Sequence, residues 1–235
     1  MASQKSPYEK WQETINLSKT DSHWNDYDSD IRAATTQFNT HLLTTKGYVA
    51  LNWKLVKAML WTESGGPNSD AWASRPMQIG NPGDPGLGAL LSNAEGGELI
   101  LPPALKLQLT KVTANAPAMN IRAGIGYLLM RAATYETVSV EDAVDKKIIE
   151  ITAKAGDNPS KIAAANKTTL DMLKKHNPKI IVTLKPGDKI KIQKASMQKR
   201  IKSWAIINTQ FCANKYNIGD ALYAKKLDYC LSLIN

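Results

Sequence analysis

Two cysteines in 235 residues, Cys212 and Cys230, are too few for a disulfide scaffold or a zinc site. They leave either one bridge in an oxidising compartment or two buried thiols, and no metal or cofactor is expected. No run of about 18 apolar residues occurs, which excludes a transmembrane helix. The N-terminal MASQKSPYEKWQETINL lacks the basic-then-apolar layout of a secretory signal. The expectation is a protein made in the cytoplasm that reaches any target outside it by another route.

What is there is mostly ordinary for a globular chain, long enough for one main domain and a small module. The net charge of +9 is unevenly spread. Residues 141–202 hold fifteen Lys/Arg against seven Asp/Glu, so nearly all the excess lies in one quarter of the sequence. A basic module suits nucleic acid, an anionic membrane or an acidic polymer such as the bacterial wall; a solvated lysine surface explains it equally well. No aromatic-stacking or groove-reading pattern accompanies the charge, which argues against nucleic acid.

Along the chain, residues 1–25 read as a polar lead-in. Ile31, Ala34, Phe38 and Leu42 at helical spacing predict an amphipathic helix over about 28–43. A second helix starts near Trp53 and ends at Gly65-Gly66-Pro67. Val56, Met59, Leu60 and Glu63 share one stripe of it. A carboxylate at the end of a core-facing helix loses solvation, which raises its pKa, as a general acid working near neutral pH requires. From Gly65 to Pro103, Gly, Pro, Asn and Asp predict loops and short turns. Within them Met77, Gln78 and Ile79 read either as a cleft wall or as two core residues flanking a surface amide. Asn120 reads as the N-cap of a helix over about 121–136, whose Ala123, Gly124 and Gly126 suit close approach of another backbone, the Glu63 helix being the expected one.

At about residue 149 the period changes. Ile149-Glu150-Ile151-Thr152 alternates like a strand, 159–166 and 170–176 read as short helices, and Lys189-Ile190-Lys191-Ile192 alternates again. After Ser196 the helical period resumes with Ile201, Trp204, Ile207 and Phe211. The fold class is therefore mainly α, a helical domain (1–140 and 197–235) interrupted by a small βααβ module (148–194).

Four ordered motifs carry a resemblance: Glu63-Ser64, Met77-Gln78-Ile79, Asn120 to Leu128 (NIRAGIGYL) and Tyr216-Asn217-Ile218-Gly219. Their order resembles the lytic transglycosylase and goose-type lysozyme superfamily, with departures at Arg75-Pro76 and Lys215. The insert resembles a LysM domain through Ala155-Gly156-Asp157, Ile162-Ala163, Thr168-Thr169, Asn177-Pro178 and Leu184 to Ile192, with Asn158-Pro159 as its departure. These resemblances imply a lysozyme-like catalytic domain and a module that binds peptidoglycan glycan strands. They imply Glu63 as general acid/base and Ser64, Met77, Gln78, Ile79, Tyr127, Tyr216 and Asn217 as substrate-binding residues, with Tyr216 orienting Glu63. In the module they assign glycan contact to Gly156, Asp157, Asn158, Pro159, Asn177, Pro178 and Ile180.

The implied activity is cleavage between N-acetylmuramic acid and N-acetylglucosamine. Asp70 and Asp84 sit in turn-forming sequence, so no second carboxylate has an obvious role, and hydrolysis and anhydro-ring formation both remain open. A wall substrate without a secretory signal fits an antibacterial effector injected by a secretion machine, with an immunity protein as partner, or a phage lysis enzyme. A non-catalytic wall-binding protein is the alternative of another class.

Overall fold

The helix that carries Glu63 is one of two largely buried helices of the computed structural model, which describes residues 4–179 and 184–234. In chain order the first helices are α1 (Pro7–Asn16), α2 (Asp28–Leu42) and α3 (Trp53–Ser64). Ser6 and Glu9 form a reciprocal capping box that starts α1. Ile31, Ala34, Phe38 and Leu42 bury one face of α2, as their spacing predicts. In α3, Leu55 to Trp61 are all buried, so the helix is enclosed on every side and not merely striped. The Asn52 side chain caps its start by accepting from the Lys54 amide, and Gly65 ends it at φ 74°, a conformation that favours glycine. Trp24, Trp61 and Trp72 meet edge to face around that end, with ring centroids 5.1 and 6.0 Å apart.

The Gly- and Pro-rich stretch contains more structure than turns. It folds as α4 (Asp70–Ser74), α5 (Gly86–Leu91) and α6 (Gly97–Ile100); α7 (Pro103–Gln108), a short helix where the sequence suggests one at about 104–111, follows it before α8 (Pro117–Ala132). Leu87, Leu90, Ile100 and Leu105 bury against the core and so recruit these short turns of helix. Asn120 is not the cap of α8. That helix begins at Pro117, whose fixed φ suits the first turn, and Asn120 lies inside it, fully buried.

Nor does α8 continue to residue 136, because Thr134 to Val140 is rich in β-branched residues (Thr134, Thr137, Val138, Val140) and forms strand β1 (Ala133–Glu141). Beyond it come β2 (Ile148–Thr152), α9 (Pro159–Ala165), α10 (Leu170–His176), β3 (Lys189–Gln193) and β4 (Ala195–Trp204). The helical spacing of Ile201 and Trp204 is therefore misleading: both lie in β4, which pairs with β1. The Thr134 and Ser203 hydroxyls meet at 2.6 Å, and at the other end the Asp142 amide donates to the Lys194 carbonyl, so the two strands run antiparallel. Two helices close the chain, α11 (Thr209–Lys215) and α12 (Tyr223–Leu233), and α12 packs on α3.

The chain divides into two units, Met1–Thr134 with Ile201–Asn235, and Tyr135–Arg200. In the smaller unit β2 and β3 are antiparallel, with Ile149 opposite Ile192 and Ile151 opposite Ile190. Ala153, Ile162, Ala163, Leu173, Ile190 and Ile192 make its core. This is the expected βααβ arrangement. Among the described residues both cysteines are free and buried, so the thiol alternative holds.

Candidate functional site

In the larger unit, Glu63 stands on the last turn of α3, half-buried, at the edge of a cavity of about 200 Å³. Met77, Gln78, Ile79, Asp84, Tyr127, Tyr216 and Asn217 complete the cavity lining. Seven of the eight residues that the sequence assigns to this site therefore lie together. The exception is Ser64: its buried hydroxyl donates to the Leu60 carbonyl at 2.7 Å and accepts from the Gly66 amide, so it finishes the helix end.

Among the described residues, both hydrogen bonds to the Glu63 carboxyl reach the same oxygen. The Tyr223 hydroxyl donates to Oε1 at 2.6 Å and the Asn217 amide at 3.3 Å. Desolvation by burial pushes the Glu63 pKa up, and the nearby Asp220 adds to this; the two hydrogen bonds and Lys226 pull it part of the way back. Burial also raises the phenols of Tyr216 and Tyr223 well above their ordinary value, with Glu63 adding to the effect, so both remain hydrogen-bond donors.

Tyr216 does not orient Glu63. Its hydroxyl donates to the Met77 carbonyl at 2.9 Å, and its ring meets Tyr127 edge to face at 5.7 Å. Tyr223 has the role expected of Tyr216. Its signal was available in the sequence: Tyr223, Leu227 and Cys230 form the buried stripe of α12, and a phenol on such a stripe needs a polar partner.

The wall opposite α3 is built by one buried amide. Asn120 Oδ1 accepts from the Met77 amide at 2.9 Å, while its Nδ2 donates to the carbonyls of Ile79 (3.0 Å) and Ala114 (2.9 Å). Met77 and Ile79 are thereby core residues that also edge the cavity. Between them Gln78 takes φ 53°, unusual for a residue with a side chain, and its amide is fixed by the Arg75 carbonyl and Asn81. Close approach to α8 occurs here, not at α3: a Cβ on Gly124 would lie 2.7 Å from the Met77 Cβ. Asp84 does form the turn expected of it, accepting from the Gly80 and Gly86 amides at 2.8 Å each, yet it also lines the cavity. Asp70 begins α4 and is exposed.

In the smaller unit, α9 and α10 pack on each other across the four-residue connection 166–169, as antiparallel neighbours do, which brings Gly156 to Ser160 and Asn177-Pro178 to the same end of the helix pair. Gly156, Asn158 and Pro178 are exposed. Asp157 accepts from the Lys154 amide, and Asn158 caps α9 ahead of Pro159. Asn177 is buried, bonding the Leu173 carbonyl and both backbone groups of Lys191, so its side chain ties α10 to β3. Ile180 lies outside the described residues.

Among the described residues no group of three or more His, Cys, Asp or Glu could hold a metal, and no helix is long and apolar enough to cross a membrane. The LysM family matches residues 151–193, so the smaller unit carries a LysM domain, a peptidoglycan-binding module. No curated protein and no solved structure matches the chain.

Proposed function

We propose that the chain cleaves the glycan strands of peptidoglycan, with Glu63 as general acid/base in a lysozyme-like domain and the LysM domain holding the polymer. The observation that carries the reading is the single half-buried carboxyl of Glu63, raised in pKa, anchored through one oxygen and open to a polar cavity. The order of the motifs around that cavity, similar to lytic transglycosylases and goose-type lysozymes, supports it. So does the wall-binding module on the same chain.

In the proposed reaction Glu63 gives its proton to the glycosidic oxygen as the C1–O bond breaks. The positive character left at C1 of N-acetylmuramic acid is met by that sugar's own 6-hydroxyl, whose proton returns to the Glu63 carboxylate. The product is an anhydro ring, as lytic transglycosylases form. A hydrolytic variant is favoured by one observation, the presence of Asp84 in the same cavity, where a second carboxylate could hold a water molecule. Delivery as an antibacterial effector, with an immunity protein in the producer, is the setting we favour over phage lysis.

Digestion of purified sacculi and mass measurement of the fragments tests the reading. Anhydro ends are expected; ends heavier by one water would replace transglycosylation by hydrolysis. Glu63→Gln is expected to abolish fragment release and keep wall binding. Wild-type protein that binds sacculi and releases nothing would make this a wall-binding protein without catalysis.

A further inference from the structure

The far end of the LysM unit holds a second cleft. The loops at 156–160 and 177–178 flank the start of α9; the turn after its last residue, Ala165, lies about 10 Å away, the length of seven helical residues. At that turn a cavity of about 280 Å³ is lined by Lys147, Lys167, Lys194 and Asp145 over an apolar floor of Ile149 and Ile192. A larger cavity of about 520 Å³ adjoins it and shares Lys167 and Lys194. The register explains the floor, because Ile149 and Ile192 face each other across β2 and β3, and Ile149 stays 44% exposed.

The charges are arranged, not merely abundant. Lys194 pairs with Asp145 at 2.8 Å, and Lys147 adds a weaker charge attraction to the same carboxylate; neither Lys147 nor Lys167 makes a direct ion pair among the described residues. Two ammonium groups without a direct ion pair above an apolar floor suit a ligand with carboxylates and small apolar side chains. Asp145, facing the same cleft, disfavours a phosphate polymer and tolerates a ligand that also carries an amine.

We propose that this cleft is a second binding site of the module, one that takes the carboxylate-bearing peptide stems of the wall polymer while the loops at the opposite end take its sugars. The proposal rests on peptidoglycan binding by the LysM domain. Stems branch from the sugars, so a site one helix length from the glycan loops can be filled by the same strand. It makes the module a reader of peptide-substituted glycan over bare glycan.

The test uses the full chain carrying Glu63→Gln, so that the polymer survives. Its binding is measured to sacculi freed of phosphate polymers, to the same glycan after an amidase has removed the peptides, and to sacculi that keep their phosphate polymers. Intact sacculi are expected to bind about fivefold more tightly than stripped glycan, the gain two exposed ion pairs provide. Adding Lys147→Gln and Lys167→Gln, both at exposed positions, is expected to erase that difference and leave binding to stripped glycan unchanged. Equal binding of the parent protein to both polymers, or an unchanged preference in the double variant, would overturn the site but leave wall binding standing. A preference that follows the phosphate polymers would overturn it in favour of another ligand. Binding to none of the three would remove the wall-binding reading itself.

Discussion

Tyr223 on α12 donates its hydroxyl to Oε1 of Glu63 on α3 at 2.6 Å, across 160 residues of sequence. Asn217 shares that oxygen, which leaves Oε2 as the one without a protein donor among the described residues. The carboxyl is thus held from behind by two donors, and the proton available for transfer belongs on the other oxygen.

Tyr223→Phe is expected to slow fragment release from sacculi roughly ten- to a hundredfold, the loss of one hydrogen bond to a carboxylate. The pH profile separates positioning from plain destabilisation. Because the Tyr223 bond holds the Glu63 pKa down, its removal should move the alkaline limb of activity to higher pH. An unmoved limb would argue against this role.

Glu63→Gln is expected to stabilise the fold at neutral and alkaline pH. A carboxyl with a raised folded-state pKa contributes stability that is fully present below its ordinary value, about 4.3, and lost as pH rises through the raised one. Melting temperatures of variant and wild type should converge near pH 4 and separate toward pH 8, the variant being higher. The opposite ordering at pH 8 would contradict the desolvated carboxyl.

Asn120→Ala should cost about 2–4 kcal/mol in urea unfolding, because it strands the Met77 amide and two carbonyls in the interior. Any protein that still folds should have lost the Met77–Gln78 wall and with it most fragment release.

Gly124→Ala drives a methyl group into Met77 and is expected to destabilise by about 1–3 kcal/mol. Trimming the neighbour in the same chain, Met77→Ala, should recover part of that cost, a coupling that a double-mutant cycle measures directly.

Asn177→Ala should lower the melting temperature of the LysM unit and weaken wall binding together, since the side chain's bonds are to the fold. Lost binding at an unchanged melting temperature would instead assign that amide to the glycan.

Several features follow from local chemistry, and the sequence alone determines them. The α2 stripe, the end of α3 at Gly65, and the strand–helix–helix–strand order of 148–193 are written in periods of 3.6 and 2 and in the residues that break them. The oddly placed Glu63 was legible for the same reason, as a charge on an apolar helix. Three things depended on the tertiary structure. Asn120 reads locally as a helix cap, yet burial makes it the clamp of the cleft wall, because a polar group without water takes whatever partners the packing supplies. Thr134–Glu136 and Ile201–Trp204 pass for helix ends until their strands supply each other's backbone partners as β1 and β4. Finally, which tyrosine reaches Glu63 is decided by the packing of α12 on α3, since a hydrogen bond depends on where two side chains meet and not on their spacing in the chain.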